Sequence, residues 1–582
     1  GPMIMQEVQG MMVGSMSVMM GLAVALLFLI IVVIFKVRGF FAWRWLPLGV
    51  VVIGTIYTFG VMGYLSVPLT MVSMAVFPVL LGLGIDYGIQ VHNRYNEEGT
   101  NKSAAKAIIE TVTSMGPVVG IALVAACLGL CAMFFSPVPM VRDFGLMLII
   151  GMIASYIVAM FPLPVILYWQ HRREDKNNDN NNGDKAVEKV EDREEEKGFL
   201  ERGLHRIAPW VIKSPKIILP IALLLTVLGV VADFFIEIEF DETKWISENS
   251  SVMQKVAKLT DVSEGLAVVN VLVEGDDLAN PATMQWMLGL DQEIIADKDA
   301  GVADVEYVSD VNTIADTVMQ ANGGVMPTDA AGIKAVLGAI PDAQKSNLVF
   351  LGTDGTSYSQ ANIIVTVTQW NIDVVEGLGD RLVVYLDDAP DGVSTAITGG
   401  LILQSEVKNL MTGSRSKVTL ISIGFILAGL FLMFKFDIIK AIIATLPVVL
   451  IIGWSALCMY ALGMKYTPLT AALGALVIAI GVEFTILLMS RYYEERGKGE
   501  GPVEAMTTAI TRIGRAITAS ALTTIGGFAA LLFAFDFIIL QDFGIITMIN
   551  VFFALVVTIV VLPSLVVIVD RWREKRKKAR IE

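Results

Sequence analysis

Gly84-Ile85-Asp86-Tyr87, followed by Arg94-Tyr95, returns later in the chain as Gly481-Val482-Glu483-Phe484, followed by Arg491-Tyr492. In both copies the Arg stands eight residues beyond the acid, and both acids lie inside apolar stretches. Eight helical residues rise about 12 Å, so an Arg that snorkels to a membrane surface leaves its acid near the centre of an apolar core about 30 Å thick. A charge at that depth costs roughly 2.5–3.5 kcal/mol on insertion scales. One such acid is readily explained as a structural carboxyl bonded to a neighbouring helix. Its repetition in the same local frame argues for a pair that handles an ion.

The rest of the composition fits a membrane setting. Of 582 residues, 55% are hydrophobic and 17% charged, with a mean hydropathy of +0.66; a soluble protein carries about a quarter charged residues. The net charge of -14 is uneven. Acids crowd 237–409 and the region near 184–201, while Lys and Arg gather beside the apolar runs, which argues against a nucleic-acid partner. Cys127, Cys131 and Cys458 all lie in apolar runs, so no disulfide framework is implied. Cys127 and Cys131 share a helix face, where packing explains them better than metal binding. There is no phosphate loop, no metal-spaced His/Cys set and no nucleophile elbow. Neither an enzyme nor a cofactor is expected.

Runs long enough to span fall at 13–35, 46–65, 68–92, 113–135 and 144–169, then 216–236, then 413–434, 441–462, 468–490, 515–535 and 543–569. That makes eleven, grouped as five, one and five. The two sets of five match in order. Leu46-Pro47 answers Leu446-Pro447, Pro68-Leu69-Thr70 answers Pro468-Leu469-Thr470, and Asp143-Phe144-Gly145 answers Asp542-Phe543-Gly544. Such a duplication, here in parallel orientation, is a transporter signature. Lys36, Arg38 and Arg44, then Arg94, Lys102 and Lys106, then His171-Arg172-Arg173 and the tail Arg571–Arg580 all fall on one side, which should be cytoplasmic.

The expected organisation follows. Gly1-Pro2 reads as a scar of tag removal, and Ile4-Met5-Gln6 resembles Ile402-Leu403-Gln404, so 1–12 reads as the end of a preceding outer domain or a stub. A first five-helix bundle occupies 13–169, and an Asn-rich, charged tether 170–198. An amphipathic connecting helix and the lone span fill 199–236. Segment 237–409 is an outer α/β domain, with strands at Leu266–Val273, Ala361–Thr368 and Val393–Thr398 and helices at Pro281–Ala296 and Val374–Leu386. Its order suggests a split βαβ module with a helical pair inserted at 311–345. The second bundle covers 410–569 and a basic tail 570–582. The fold class is a polytopic α-helical membrane protein with one extracytoplasmic α/β domain.

This layout, with acids in the duplicated helix, resembles the resistance–nodulation–division (RND) superfamily. Within it the chain is most similar to the lipid-exporting branch of mycobacterial large membrane proteins, hopanoid exporters and archaeal predicted exporters. The outer domain would then be a porter domain. The resemblance implies transport of lipids or other hydrophobic molecules, driven by protons or sodium, in the cell membrane of an archaeon or bacterium. A complete member has twelve spans and two outer domains, so the first span and first outer domain are expected either to have been removed or to be supplied by another chain. The partners considered are a further copy, as a homo-oligomer, or that missing N-terminal fragment. Members of the group carry an Asp-Tyr pair in both halves; Asp86-Tyr87 keeps it, whereas Glu483-Phe484 does not.

Asp86 is the expected ion carrier, with Tyr87 as its hydrogen-bond neighbour and Glu483 as the second site. Ser520, Thr523 and Thr524, on the penultimate span, offer hydroxyls to a carboxylate of the facing helix, and Glu483 is expected to depend on them. Asp143 and Asp542 read as helix N-caps, and Gly82, Gly84 and Gly481 as close-packing positions. Two other classes share such a bundle: a sterol-sensing-type lipid receptor or scaffold, and a protein-export accessory. Two acids at bilayer depth favour energy coupling over the scaffold, and the accessory usually has smaller outer domains and its own membrane motifs, which are not found in the sequence.

Overall fold

The computed structural model describes residues 2–34, 44–99, 102–181, 199–262, 267–368 and 372–581. It contains two compact units: a helical bundle formed by Gly1–Glu239, Trp245–Ser247 and Met411–Glu582, and an α/β unit formed by Phe240–Lys244 and Glu248–Leu410.

Among the described residues, eleven helices of the bundle are long and apolar enough to span. The first group is α1 (Gln6–Val33), α2 (Leu46–Tyr64), α3 (Met71–Glu98), α4 (Ala104–Phe135) and α5 (Pro139–Gln170). The lone span is α6 (Pro215–Asp233). The second group is α7 (Ser416–Met433), α8 (Ile438–Ala461), α9 (Leu473–Gly497), α10 (Pro502–Phe533) and α11 (Ile538–Arg576). The helix carrying α1 starts at Pro2 and so includes most of the 1–12 segment. The helix ending α5 continues to Asn181, where the sequence reading had a tether from 170; no Gly or Pro interrupts Gln170–Asn181, so nothing stops it. The remainder of that tether lies outside the described residues, as do Lys36 and Arg38. Helix Phe199–Lys213 buries Leu204, Ala208, Val211 and Ile212, and the Ser564 hydroxyl of α11 donates to the Val211 carbonyl at 2.7 Å.

The duplication is visible in contacts between equivalent residues. Phe144 and Phe543, the centres of the Asp-Phe-Gly repeats, meet edge to face with ring centroids 5.9 Å apart. Residues that touch their own equivalents mark the local two-fold axis. Gly145 and Gly544 each let the fifth helix of a half close on the end of the fourth: an added Cβ would meet Met133 Cβ at 2.9 Å in one and Leu531 Cβ at 2.9 Å in the other. The expected N-caps at Asp143 and Asp542 are corrected here. The helices start at Pro139 and Ile538, with Val138 and Phe537 at the caps, so both acids sit a full turn inside.

The acid-bearing helices α3 and α9 are central, and each packs on the penultimate helix of the opposite half: α3 on α10, and α9 on α4. At the basic end the halves also exchange ion pairs. Arg491 reaches Glu97 at 3.3 Å, and Arg94 reaches Glu494 at 4.0 Å, so each Arg of the repeated motif meets an acid of the other copy.

The α/β unit carries an antiparallel sheet of β1 (Ala267–Glu274), β2 (Val308–Asn312), β3 (Val349–Leu351), β4 (Tyr358–Val367) and β5 (Ser394–Thr398). The strand order β2-β4-β1-β5, with β3 paired to β4 and helices Pro281–Asp299 and Ile372–Leu386 as crossovers, is that of a split βαβ module. Helices Ile314–Ala321 and Ala330–Ala339 fill the insertion. Lys334 of the insertion pairs with Asp277 at 2.6 Å. Burial pushes that carboxyl up, but Lys334 and the Tyr358 and Ala279 amides outweigh it and hold the group below the usual range.

Candidate ion-coupling site

Placement of the two acids begins at the helix starts. Thr70 and Thr467 each accept from the backbone amide three residues on, in matching capping boxes with Ser73 and Thr470 that cap the four-residue helices Met71–Met74 and Pro468–Ala471 leading into the acid-bearing helices. Both threonines stand sixteen residues ahead of their acid. The apparent match of Pro68-Leu69-Thr70 with Pro468-Leu469-Thr470 is therefore out of register by three residues, and Thr467 is the structural partner of Thr70. A cap fixes where the first turn begins, and so the depth and facing of everything below it.

One turn before the acid, α3 crosses α10 at close range. A Cβ on Gly527 would lie 2.8 Å from Gly82 Cα, and one on Gly82 would lie 3.1 Å from the Thr524 carbonyl oxygen. Only glycine allows these backbones to touch, as in other membrane helix pairs. The crossing delivers the α10 hydroxyls to Asp86, one turn further along. Thr523 Oγ1 lies 3.5 Å from Asp86 Oδ1, and Thr524 Oγ1 3.4 Å from Oδ2. Ser520, one turn before Thr524 on the same helix, has its Oγ buried without a hydrogen-bond partner. All four residues are buried. Gly84 makes a second close approach, toward Ser155 of α5 and Val51 of α2.

These separations exceed a normal O–H···O bond of about 2.5–3.0 Å. The threonines make shorter contacts elsewhere: Thr523 donates to the Ser520 carbonyl at 2.8 Å, and Thr524 to the Gly82 carbonyl at 2.9 Å. A hydroxyl has one proton to donate and lone pairs to accept with. Each threonine thus has two settings. With Asp86 protonated, both hydroxyls stay on the backbone carbonyls and one of them accepts the single O–H of the acid. With Asp86 ionised, they can turn to donate to it.

Glu483 occupies a different environment. Its carboxylate Oε1 accepts from Gln90 Nε2 of α3 at 3.3 Å. The hydroxyls assigned to Glu483 from sequence stand beside Asp86 instead, because α10 meets α3 at the Gly82–Gly527 crossing, whereas α9 packs on both α10 and the apolar α4. Tyr87 is a second correction. Its hydroxyl is buried with no hydrogen-bond partner, and its ring stands edge-on to Tyr156 at 6.1 Å. Consecutive helical residues diverge by about 100°, so the phenol does not reach the carboxyl beside it.

Gln90 was missed in the sequence, although it lies one turn after Asp86 on the same helix face. It also lines a cavity of about 700 Å³ at the basic end, together with Arg94, Glu98, Arg491, Glu494 and Arg515. Neither Asp86 nor Glu483 lines that cavity. Among the described residues, no cluster of His, Cys, Asp and Glu has the makings of a metal site.

Duplicated spans around paired intramembrane acids define a polytopic membrane transporter. The chain belongs to the MMPL family, whose model matches residues 1–210 and 249–581. The family is related to RND proteins, and its members are transporters of hydrophobic substances rather than enzymes. The chain is similar to a membrane protein of the archaeon Methanocaldococcus jannaschii, 25% identical over 391 residues that cover 64% of this chain and 95% of the relative. It is also similar to the membrane protein ActII-3 of Streptomyces coelicolor, 27% identical over 201 residues covering 33% of this chain and 28% of that relative.

Proposed function

We propose that this protein is a secondary transporter that moves lipids or other hydrophobic molecules at the expense of a proton gradient, with Asp86 and Glu483 as the proton-carrying groups. In this reading the basic end of the bundle faces the cytoplasm and the α/β unit is extracytoplasmic, as the clustering of Arg and Lys at one end supports.

The observation that carries the reading is the double role of Thr524. Its hydroxyl bonds the Gly82 carbonyl, at the tightest point of the α3–α10 crossing, and it stands beside the Asp86 carboxyl. Loss of the Asp86 proton draws that hydroxyl toward the charge and releases a bond that ties the two helices. Gain of the proton restores it. A change of one charge is thereby converted into a change of helix packing, which is what a two-state machine needs. A lipid receptor or scaffold has no use for such a linkage.

The test is transport by the reconstituted protein under an imposed pH gradient, with folding monitored separately. Asp86→Asn should abolish gradient-driven transport and Glu483→Gln should impair it. Neutral amides at that depth cost less than buried charges, so both variants should fold. A double variant that folds and transports at the wild-type rate would make the acids structural and overturn the proposal.

A further inference from the structure

We infer that Gln90 is the positioning residue through which protons pass between the basic-end vestibule and Glu483, making Glu483, not Asp86, the acid in first contact with that side. The inference rests on the proton-coupled reading above and assigns an order to its two acids.

Three observations carry it. Gln90 lies at the boundary between cavity and acid pair, because it lines the vestibule and also donates to Glu483. Its other polar atom, Oε1, is buried without a hydrogen-bond partner, and the residue is only 2% exposed. A buried amide oxygen in that state is costly unless something polar reaches it, and water entering the polar vestibule is the available donor. Asp86, in contrast, is enclosed by the hydroxyls of α10 and is absent from the cavity wall.

The chemistry requires no change of charge on the amide. Gln90 Nε2–H holds Glu483 Oε1 while Gln90 Oε1 accepts from a vestibule water. A hydronium at that position gives its proton to Glu483 Oε2, and water is left behind. Once Glu483 is protonated, the amide can turn over and accept the new O–H through Oε1, so it serves both forms of the acid. Asp86 lies one turn before Gln90 on the same face of α3 and is the carboxyl behind this entry point. The further titratable groups near Glu483 are Tyr87 on α3 and Cys127 on α4. Beyond Gln90 the vestibule presents Arg94, Arg491 and Arg515 together with Glu98 and Glu494.

The test uses full-length protein in vesicles oriented with the basic end outward, and a pH jump applied to that side. Carboxyl infrared bands are assigned to each acid by their disappearance in Glu483→Gln and Asp86→Asn. In the wild type the Glu483 band should respond first and the Asp86 band after it. Gln90→Leu should slow the Glu483 response several-fold while leaving the response to a jump from the opposite side unchanged. Val118→Trp, which adds bulk to the vestibule wall at a position neither acid shares, should slow it likewise and serves if the Gln90 variant does not fold. An Asp86 band that leads, or a Glu483 response indifferent to both substitutions, overturns the inference. Because the band order is read without any transported lipid, failed transport coupling with the expected order would sink the proposed function alone.

Discussion

The two halves of the bundle share a frame and differ in what the frame holds. Each has a capped third helix, an Arg that reaches across to an acid of the other copy, and an Asp-Phe-Gly turn whose Phe meets its twin. Around the acids the correspondence ends. In the register set by the caps and acids, Ala479 replaces Gly82 and Leu487 replaces Gln90. In the register of the Asp-Phe-Gly turns, Val124 and Ala125 replace Thr523 and Thr524. Asp86 therefore rests on a tight glycine crossing lined with hydroxyls, and Glu483 on an apolar wall with one amide. Duplication preserved what sets depth and orientation, and divergence altered the groups that respond to a proton.

That contrast can be broken most decisively at the acids themselves. Asp86→Asn should bring pH-driven transport in proteoliposomes to background, and Glu483→Gln should leave a measurable fraction; equal losses would show that the two environments are equivalent. Next in size is the crossing. Gly82→Ala forces a Cβ to within 3.1 Å of the Thr524 carbonyl oxygen and 3.3 Å of its Cα, both backbone atoms. Overpacking of that kind costs about 1–3 kcal/mol. The reverse change at the equivalent place, Ala479→Gly, should cost only about 0.5–1 kcal/mol. Thermal unfolding of the two variants in detergent measures the difference.

A smaller effect is expected at the hydroxyls. Thr524→Val keeps shape but removes the tie to Gly82, and should slow transport several-fold with modest loss of stability. Ala125→Thr, which places a hydroxyl in the other half, should change the transport rate less. If the two act equally, the halves are not specialised. Smallest of all is Tyr87→Phe. Its hydroxyl has no partner to lose, so transport and melting temperature should stay close to wild type, and a large defect would return the phenol to the mechanism.

Much of this was legible in the sequence. The spans, the duplication and both acids follow from hydropathy and one repeated motif, and the sheet follows from alternation flanked by turn residues. What was hidden is relational. Thr523 and Thr524 are visibly polar in an apolar helix, but which acid they face depends on α10 crossing into the opposite half. Pro68 and Pro468 looked equivalent because three letters matched, whereas the caps show a three-residue offset. Gln90 was the readable omission. A polar side chain one turn from Asp86, with Leu487 at the matching place, marks an asymmetry that comparison of the repeats exposes without any structure.

The edge-to-face pair of Phe144 and Phe543 carries one more consequence. Two identical rings on a two-fold axis, at 84° to each other, cannot be interchanged without moving: one presents its rim and the other its face. The centre of the repeat is therefore asymmetric even where the residues are the same. The two-fold-related arrangement, with rim and face exchanged, would use the same pair of rings. The contact at the centre of the duplication is thus unequal in itself, and which ring presents its face follows from what distinguishes the surrounding halves.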